Sequence, residues 1–352
     1  YFLALKIFNQ SVALFALLVS ALGTPFWNNW SSRAGTGYVE VTFIGILILL
    51  LTISLAKHTV INFRFIICSL ILGFLAGLGF WVQPTIVYFI IPSLVYLLLN
   101  LRKKFFILFI LFCLGFAVGG FPVIYYNIFV RHAGTTGALL KKPWGMRGAF
   151  FKLVSEGFPV LLGGRTSNST KDFNLFTSMF LYLSFTVSIL YFLKIISGLR
   201  SFKRPEFLVF LTLVSTIAIF LVSTPFNQFS IEPRYVFPLY SLIPIIIGIF
   251  LSRVYYYSKL AGGLVTALYL LSFVVGLTQA GPLSFLDTYS FRPLVEFFQN
   301  RNIHYIVSTP SLGHRIMFFS GGAIKAGIRG GGITEARFED INLEVGRALS
   351  LE

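Results

Sequence analysis

The stretch that decides the fold is Glu232-Pro-Arg-Tyr-Val-Phe-Pro-Leu-Tyr240, which leads directly into the apolar run of residues 241–251. We call residues 232–240 the EPRY segment. It places a carboxylate, a guanidinium and two phenols at the mouth of an apolar helix, and its two prolines fix how the backbone enters that helix. Because most of the chain is apolar, we expect the functional chemistry to gather here.

The composition around this segment is that of a membrane protein. Of 352 residues, 56% are hydrophobic, 17% aromatic and only 11% charged, and the mean hydropathy is +0.84. With this composition, a soluble domain of the same size would have too few polar residues to cover its surface. The net charge of +16 raises nucleic-acid binding as an alternative, but the basic residues punctuate apolar runs instead of forming one basic face. We therefore predict a polytopic membrane protein that does not bind nucleic acid.

Nine apolar runs approach the length needed to cross a bilayer. They cover residues 2–22, 41–56, 65–82, 84–99, 105–129, 176–196, 207–222, 235–251 and 260–277. The short loops on one side carry nearly all the loop lysines and arginines, whereas the alternate short loops carry only Arg33 and Arg234. The positive-inside rule therefore makes the basic loops cytoplasmic. Gln83, the long loop 130–175 and the EPRY segment are then predicted to lie on the outer face of the plasma (inner) membrane.

Two runs are joined by Trp81-Val-Gln-Pro84, which is too short to be a free loop. A helical hairpin whose second arm starts at Pro84 fits this spacing, because proline is tolerated in the first turn of a helix. Gln83 would then lie at the outer rim, either as a polar turn residue among the headgroups or as part of a site.

The long outer loop contains a segment with helical periodicity. Apolar residues from Phe150 to Leu162 recur at helical spacing, which predicts a short helix lying flat on the membrane. Gly163-Gly164-Arg165 ends it. An arginine in this position can hold a phosphate through its planar guanidinium, although a plain interfacial arginine is the alternative.

Residues 280–352 have a different composition from the membrane domain of residues 1–279. The charges mix and the apolar runs shorten, and the pattern predicts a helix from Pro293 to Asn300 and a buried strand from Ile303 to Ser308. A second helix from Leu312 to Phe319 and a second strand from Ala323 to Ile328 follow. We therefore predict a small α/β module outside the cytoplasm.

The sequence shows no metal or nucleophile motif. The two cysteines and four histidines are scattered along the sequence without the spacing of metal ligands. The sequence therefore indicates no required cofactor, and it does not determine whether a divalent metal is used. The spans hold almost no ionisable residues, which argues against an ion-coupled carrier. The outer face is instead rich in cations, which suits an anionic headgroup such as a lipid-linked phosphate.

These features resemble the GT-C membrane glycosyltransferases, specifically the bacterial glycosyltransferase family 39 or Rgt-like group related to protein mannosyltransferases and aminoarabinose transferases. The resemblance covers most of the chain and rests on motifs in the family's order. They are Gly73-Phe-Leu-Ala-Gly-Leu-Gly-Phe-Trp-Val-Gln-Pro84, Gly119-Gly-Phe-Pro-Val-Ile-Tyr-Tyr-Asn127, Phe158-Pro-Val-Leu-Leu-Gly-Gly164 and Pro233-Arg-Tyr-Val-Phe-Pro-Leu-Tyr240.

The resemblance implies transfer of a hexose or pentose from a polyprenyl-phosphate donor to a glycan, lipid or protein acceptor in the cell envelope. The family's catalytic carboxylate lies in its first outer loop, and residues 1–40 hold no Asp-Asp or Asp-Glu pair, so we expect that acid upstream of Tyr1 and assign no catalytic residue. The substrate-binding candidates are Arg234, Tyr235, Arg165, Gln83, Glu232 and His132.

A non-enzymatic protein is the alternative. It would be a membrane carrier or a structural protein for lipid-linked saccharides. A carrier should place polar groups within its spans, and this chain places few there.

Overall fold

The computed structural model describes residues 1–31, 37–58, 60–130, 146–165, 174–199, 201–223, 233–279, 291–308, 310–328 and 345. The chain divides into two compact units, the first running from Tyr1 to Leu283 and the second from Ser284 to Glu352. The first unit is helical throughout its described part. The second holds a small parallel sheet.

The helices of the first unit follow the predicted apolar runs closely. In chain order they are α1 (Phe2–Ile7), α2 (Gln10–Leu22), α3 (Pro25–Ser31), α4 (Tyr38–Ala56), α5 (Phe63–Val82), α6 (Val87–Leu101), α7 (Phe105–Gly119), α8 (Phe121–Tyr125), α9 (Met146–Lys152), α10 (Phe158–Leu161), α11 (Leu175–Ser197), α12 (Pro205–Ser223), α13 (Ile243–Tyr257) and α14 (Lys259–Gln279).

Six helices in the described ranges are long and apolar enough to cross a membrane, and the number rises to eight if each of two bent helix pairs is one span. The chain is thus an all-α polytopic membrane protein, as predicted. We predicted nine candidate spans from the sequence, and two of those runs are broken in the structure.

The run of residues 2–22 is interrupted at Phe8 and Asn9. The Asn9 side chain accepts a hydrogen bond from the Val12 amide at 3.0 Å and so starts α2 as a separate helix. The run of residues 105–129 is interrupted at Gly120, where the axis bends by 73° before a short helix and a π-helical turn, Tyr126–Val130. Pro122 lies just after this bend, in the first turn of α8, where its missing N–H costs little.

Helices α5 and α7 pack through two pairs of glycines spaced four residues apart, Gly73 with Gly77 and Gly115 with Gly119. A Cβ on Gly73 would lie 2.1 Å from the Phe112 carbonyl oxygen, so the two backbones are in direct contact. Close packing of small residues at this spacing is the usual way in which membrane helices associate. The order of the contacts makes α5 and α7 parallel. The helix between them in sequence, α6, therefore runs in the opposite direction.

Contacts between distant residues sort the helix termini into two ends of the first unit. At one end, Tyr38 at the start of α4 contacts Tyr235 of the EPRY segment, and Tyr240 is hydrogen-bonded to the carbonyl of Leu161. At the other end, the Tyr96 hydroxyl donates to the Lys203 carbonyl at 2.6 Å. We call these the EPRY end and the basic end.

The helical segment in the long loop is longer than predicted. It comprises α9, a π-helical turn (Leu153–Gly157) and α10. Leu153 and Leu161 are fully buried against the rest of the unit, where α10 packs on α3 and on the EPRY segment. One side of the segment is therefore packed into the unit, while Phe150, Phe151 and Val154 are exposed, and its position flat on the membrane stays a prediction.

The second unit contains the four elements that the sequence predicts: α15 (Arg292–Asn300), β1 (Tyr305–Ser308), α16 (Pro310–Phe319) and β2 (Lys325–Ile328). The strands are parallel, with Tyr305 opposite Lys325, and α16 connects them. Val295, Ile316 and Ile324 form a small core. The prediction of a buried first strand was wrong, since Val307 is 52% exposed and none of the four residues of β1 is buried.

Candidate functional site

The described part of the EPRY segment belongs to a 3-10 helix, Pro233–Ser241, just before α13. Proline is compatible with the first position of a helix, whereas Pro238 inside it cannot donate a backbone hydrogen bond. The hydroxyl of Ser241 donates to the Pro238 carbonyl at 2.7 Å. Val236, Phe237 and their neighbours are buried, so the segment is part of the core of the unit.

Tyr240 fixes this segment to two other parts of the chain. Its hydroxyl donates to the Leu161 carbonyl of α10 at 2.7 Å and is also hydrogen-bonded to the hydroxyl of Thr24, between α2 and α3. Thr24 in turn accepts a hydrogen bond from the Trp27 amide at 3.2 Å. A chain of donors therefore runs from the Trp27 amide through Thr24 and Tyr240 to the carbonyl of Leu161.

A cluster of aromatic rings surrounds the segment. Trp27 stacks on Phe237 with ring centroids 5.1 Å apart and planes 15° apart. Tyr38 meets Trp30 edge-on at 5.3 Å and Tyr235 at 6.3 Å. Aromatic pairs in this geometry each contribute about 0.5–1.5 kcal/mol beyond the area they bury. The substrate-binding candidates named from the sequence include Tyr235 but not Trp27, Trp30 or Tyr38.

Arg234 and Tyr235 lie next to each other at the EPRY end. The Arg234 guanidinium carbon is 5.3 Å from the centroid of the Tyr235 ring, which is cation–π geometry. Both side chains are partly buried, and Tyr88 of α6 lies close enough to interact electrostatically with Tyr235 and Tyr38. Helices α4 and α6 and the EPRY segment therefore meet around Tyr235.

Gln83 lies near the same group of residues. It has an extended backbone, with φ −160°, and Pro84 starts a 3-10 turn before α6, as the proline position predicts. A Cβ built on Gly37, the residue before Tyr38, would lie 3.5 Å from the Gln83 Cβ. Gly37 has φ +71°, a conformation that favours glycine. The structure therefore brings Gln83, Arg234 and Tyr235 to one end of the unit.

Arg165, which follows α10, is partly buried and contacts a different part of the chain. Its Nη1 atom is 3.5 Å from the Ser155 carbonyl oxygen, at the limit of a hydrogen bond. The preceding carbonyl, of Gly164, accepts a hydrogen bond from the Ser178 hydroxyl at 2.9 Å. The other two binding candidates, His132 and Glu232, lie outside the described residues.

A cavity of about 230 Å³ lies next to Tyr240, between α2, α4, α10, α13 and α14. Its wall is mostly apolar, and the hydroxyls of Thr24, Thr42 and Tyr240 are its polar groups nearest the EPRY end. Within the described ranges, no three histidine, cysteine, aspartate or glutamate side chains are grouped to hold a metal ion. Among the described residues, this end holds arginines, phenols, hydroxyls and amides, together with the carboxylates of Glu40 in α4 and Glu156 in the π-helical turn before α10.

Comparison with protein families gives one match, which covers residues 1–126. The matched family is described as dolichyl-phosphate-mannose-protein mannosyltransferase. No curated protein and no solved structure matches the chain. The matched region contains Thr24 and Tyr38, on which the EPRY segment packs, and Gln83, which lies beside Gly37. The match covers about a third of the chain, and together with the helical architecture it supports a similarity to membrane glycosyltransferases of the GT-C type.

Proposed function

We propose that this protein transfers a sugar from a polyprenyl-phosphate-linked donor to a glycan, lipid or protein acceptor at the EPRY end. One observation carries the proposal: the EPRY segment, which lies outside the matched residues 1–126, packs directly on residues inside them. Residues inside the family match thus contribute to the same cluster of cationic and aromatic side chains as the EPRY segment.

Sugar transfer breaks the bond between the anomeric carbon and a phosphate oxygen, and the electron pair leaves with the phosphate. The acceptor oxygen bonds to the same carbon while a base takes its proton. Negative charge therefore grows on the lipid phosphate, and a nearby cation stabilises it. Arg234 is our candidate for this role, because a guanidinium can donate two parallel hydrogen bonds to a phosphate.

The other candidates support the same site. Tyr235 holds the Arg234 guanidinium on its ring face, and Gln83 offers an amide close to the start of α4. Arg165 is a second cation and follows α10 in the chain. The Tyr240 hydroxyl connects α10 to Thr24, because it is hydrogen-bonded both to the Leu161 carbonyl and to the Thr24 hydroxyl. His132 and Glu232 complete the set as candidates from the sequence.

We place the EPRY end on the outer face of the plasma membrane, with the C-terminal module on that side too. The support is the charge distribution, since most of the lysines and arginines of the short loops lie in or next to the turns after α4, α6, α11 and α13. A polyprenyl-phosphate sugar reaching the EPRY end from the outer leaflet would present its phosphate at the depth of interfacial arginines.

The test measures sugar transfer from polyprenyl-phosphate mannose by membranes that contain the full-length protein. Replacing Arg234 by alanine removes charge-assisted hydrogen bonds worth about 1.5–3 kcal/mol, so we expect a loss of roughly 10- to 100-fold. Arg253 is a matched control, because its guanidinium lies over an aromatic ring, that of Tyr257 at 4.4 Å, but at the basic end. Arg253→Ala should leave transfer unchanged.

Equal activity of the Arg234→Ala and Arg253→Ala variants would contradict the role of Arg234. Binding of the donor without any transfer to added or endogenous acceptors would instead favour a carrier of lipid-linked saccharides. Arg234→Lys refines the result, since lysine keeps the charge but not the planar pair of donors. An intermediate rate for Arg234→Lys is expected.

A further inference from the structure

A second concave surface lies between α1, α4 and α5, away from the EPRY end. It encloses about 680 Å³. Its apolar lining consists of Phe2, Leu5, Leu47, Leu50, Leu51, Ile71 and Leu75. We call it the α1–α4–α5 groove. Lys6 and Ser54 are its polar lining residues, and both lie towards the basic end.

Lys6 is held in position at this end of the groove. Its ammonium group donates to the Leu50 carbonyl at 3.3 Å and to the Ser54 hydroxyl. These two bonds leave one of its three N–H donors for a third partner. Two hydrogen bonds to α4 therefore fix the Lys6 ammonium group at the groove.

A second lysine stands next to Lys6 without a balancing acid. Lys57, in the turn after α4, is exposed and close enough for its charge to repel that of Lys6. In the part of the chain that the structure describes, the carboxylates are Glu40, Glu156, Glu206 and Glu296, and none of them forms an ion pair with either lysine. An anion bound here would relieve this repulsion.

The apolar part of the groove extends over about two thirds of the thickness of one bilayer leaflet. From Ser54 to Leu47 along α4 is seven residues, or roughly 10 Å at the rise of an α-helix. Half of a hydrocarbon core is about 15 Å thick. A molecule with a negative head at Lys6 and an alkyl chain along the leucines matches both the charge and the length.

We propose that the α1–α4–α5 groove is a binding site for an anionic glycerophospholipid, with its phosphate at Lys6 and Lys57 and one acyl chain on the leucine-lined wall. Basic pockets between membrane helices recognise anionic headgroups in this way. The site is separate from the EPRY end, and the proposal does not rest on sugar transfer.

The test is native mass spectrometry of the full-length protein released from nanodiscs that contain equal amounts of phosphatidylglycerol and phosphatidylcholine. We expect retained phosphatidylglycerol on the wild type and about fivefold less on Lys6→Gln, the effect of one interfacial cation. Gln keeps a donor for the Leu50 carbonyl, so the fold should persist. Lys6→Arg should retain the lipid, and Lys194→Gln, another exposed lysine at the basic end, should match the wild type.

Two further variants guard the conclusion. Lys57→Gln alters an exposed side chain, so it tests the headgroup even if Lys6→Gln unfolds. Ile71→Trp fills the groove and should remove the retained lipid whatever its headgroup. Equal retention of both lipids by the wild type would overturn the proposal. So would a protein dimer, or a further segment of the polypeptide, that occupies the groove and is displaced by Ile71→Trp.

Discussion

Tyr240 and Thr24 are 216 residues apart in the sequence, yet their hydroxyl groups are hydrogen-bonded in the buried centre of the EPRY end. The same tyrosine hydroxyl donates to the Leu161 carbonyl, so one side chain joins three segments. Both side chains are buried, and buried polar groups depend on such hydrogen bonds. Tyr240 therefore holds the EPRY segment in register with the rest of the site.

Tyr240→Phe should destabilise the protein and leave the aromatic packing intact. It leaves the Thr24 hydroxyl and the Leu161 carbonyl without their partner, which costs about 1–3 kcal/mol. Thermal unfolding in detergent measures the loss. Tyr256→Phe removes a hydroxyl from a side chain that is 78% exposed and should not change the midpoint. Equal midpoints for the two variants would contradict the role of the buried hydroxyl.

The glycine contact between α5 and α7 gives a second stability prediction. A Cβ on Gly115 would lie 2.1 Å from the Leu70 carbonyl oxygen, so Gly115→Ala must push the two backbones apart. We expect a loss of about 1–3 kcal/mol or more. The matched control is Gly263→Ala in α14, where an added Cβ meets nothing within 4 Å.

Gly263→Ala should be neutral or slightly stabilising, because alanine favours a helix over glycine by about 1 kcal/mol. The thermal midpoints of the two variants in the same detergent decide the matter. If Gly115→Ala unfolded no earlier than Gly263→Ala, the close approach of α5 to α7 would be refuted.

Much of this fold is readable from local sequence. Helix positions follow from the apolar runs, and the four elements of the C-terminal unit follow from periodicity. The two broken runs carried their own signals, a helix-capping Asn9 and the glycine and proline around Gly120, which hydropathy alone does not weigh. The glycine spacing in α5 and α7 was also visible, but it does not say which helix is the partner.

The arrangement of the site was less predictable. Arg234, Tyr235 and Gln83 were named from the chain, and the structure brings them to one end of the first unit. Nothing local to Thr24 or Leu161, however, indicates a contact with Tyr240, because such a contact is set by helix packing across the whole unit. Arg165 was likewise named as a candidate from the sequence. Its contact with the Ser155 carbonyl, and the hydrogen bond from Ser178 to the preceding carbonyl of Gly164, were not predicted.

The Tyr235 ring gives a prediction about sugar transfer. If the ring face positions Arg234, then Tyr235→Phe keeps the cation–π contact and the edge-on contact with Tyr38, whereas Tyr235→Ala removes both. We expect transfer close to wild type for the phenylalanine variant and a loss of about fivefold or more for alanine, since a partly buried cation–π pair contributes about 1 kcal/mol.

Transfer from polyprenyl-phosphate mannose in membranes measures this effect at several donor concentrations. A positioning role predicts that the alanine variant needs more donor for half-maximal transfer. Loss of activity in Tyr235→Phe would instead assign a direct role to the hydroxyl. Tyr257→Ala removes the ring under Arg253 at the basic end and serves as the control.

The predicted orientation is tested with two serines at opposite ends of the first unit. Ser31 ends α3 at the EPRY end and Ser201 lies between α11 and α12 at the basic end, and both are exposed. Each is replaced by cysteine in a background with Cys68→Ser and Cys113→Ser, which removes the native thiols. A membrane-impermeant thiol reagent is then added to intact cells or to inverted vesicles.

The charge bias requires Ser31→Cys to react in intact cells and Ser201→Cys to react in inverted vesicles, because basic loops stay on the cytoplasmic side. The opposite pattern would place the EPRY end in the cytoplasm. Donors carried by the inner leaflet would then be its substrates, and the role of Arg234 would have to be tested with those. The labelling pattern therefore decides which leaflet must supply the polyprenyl phosphate.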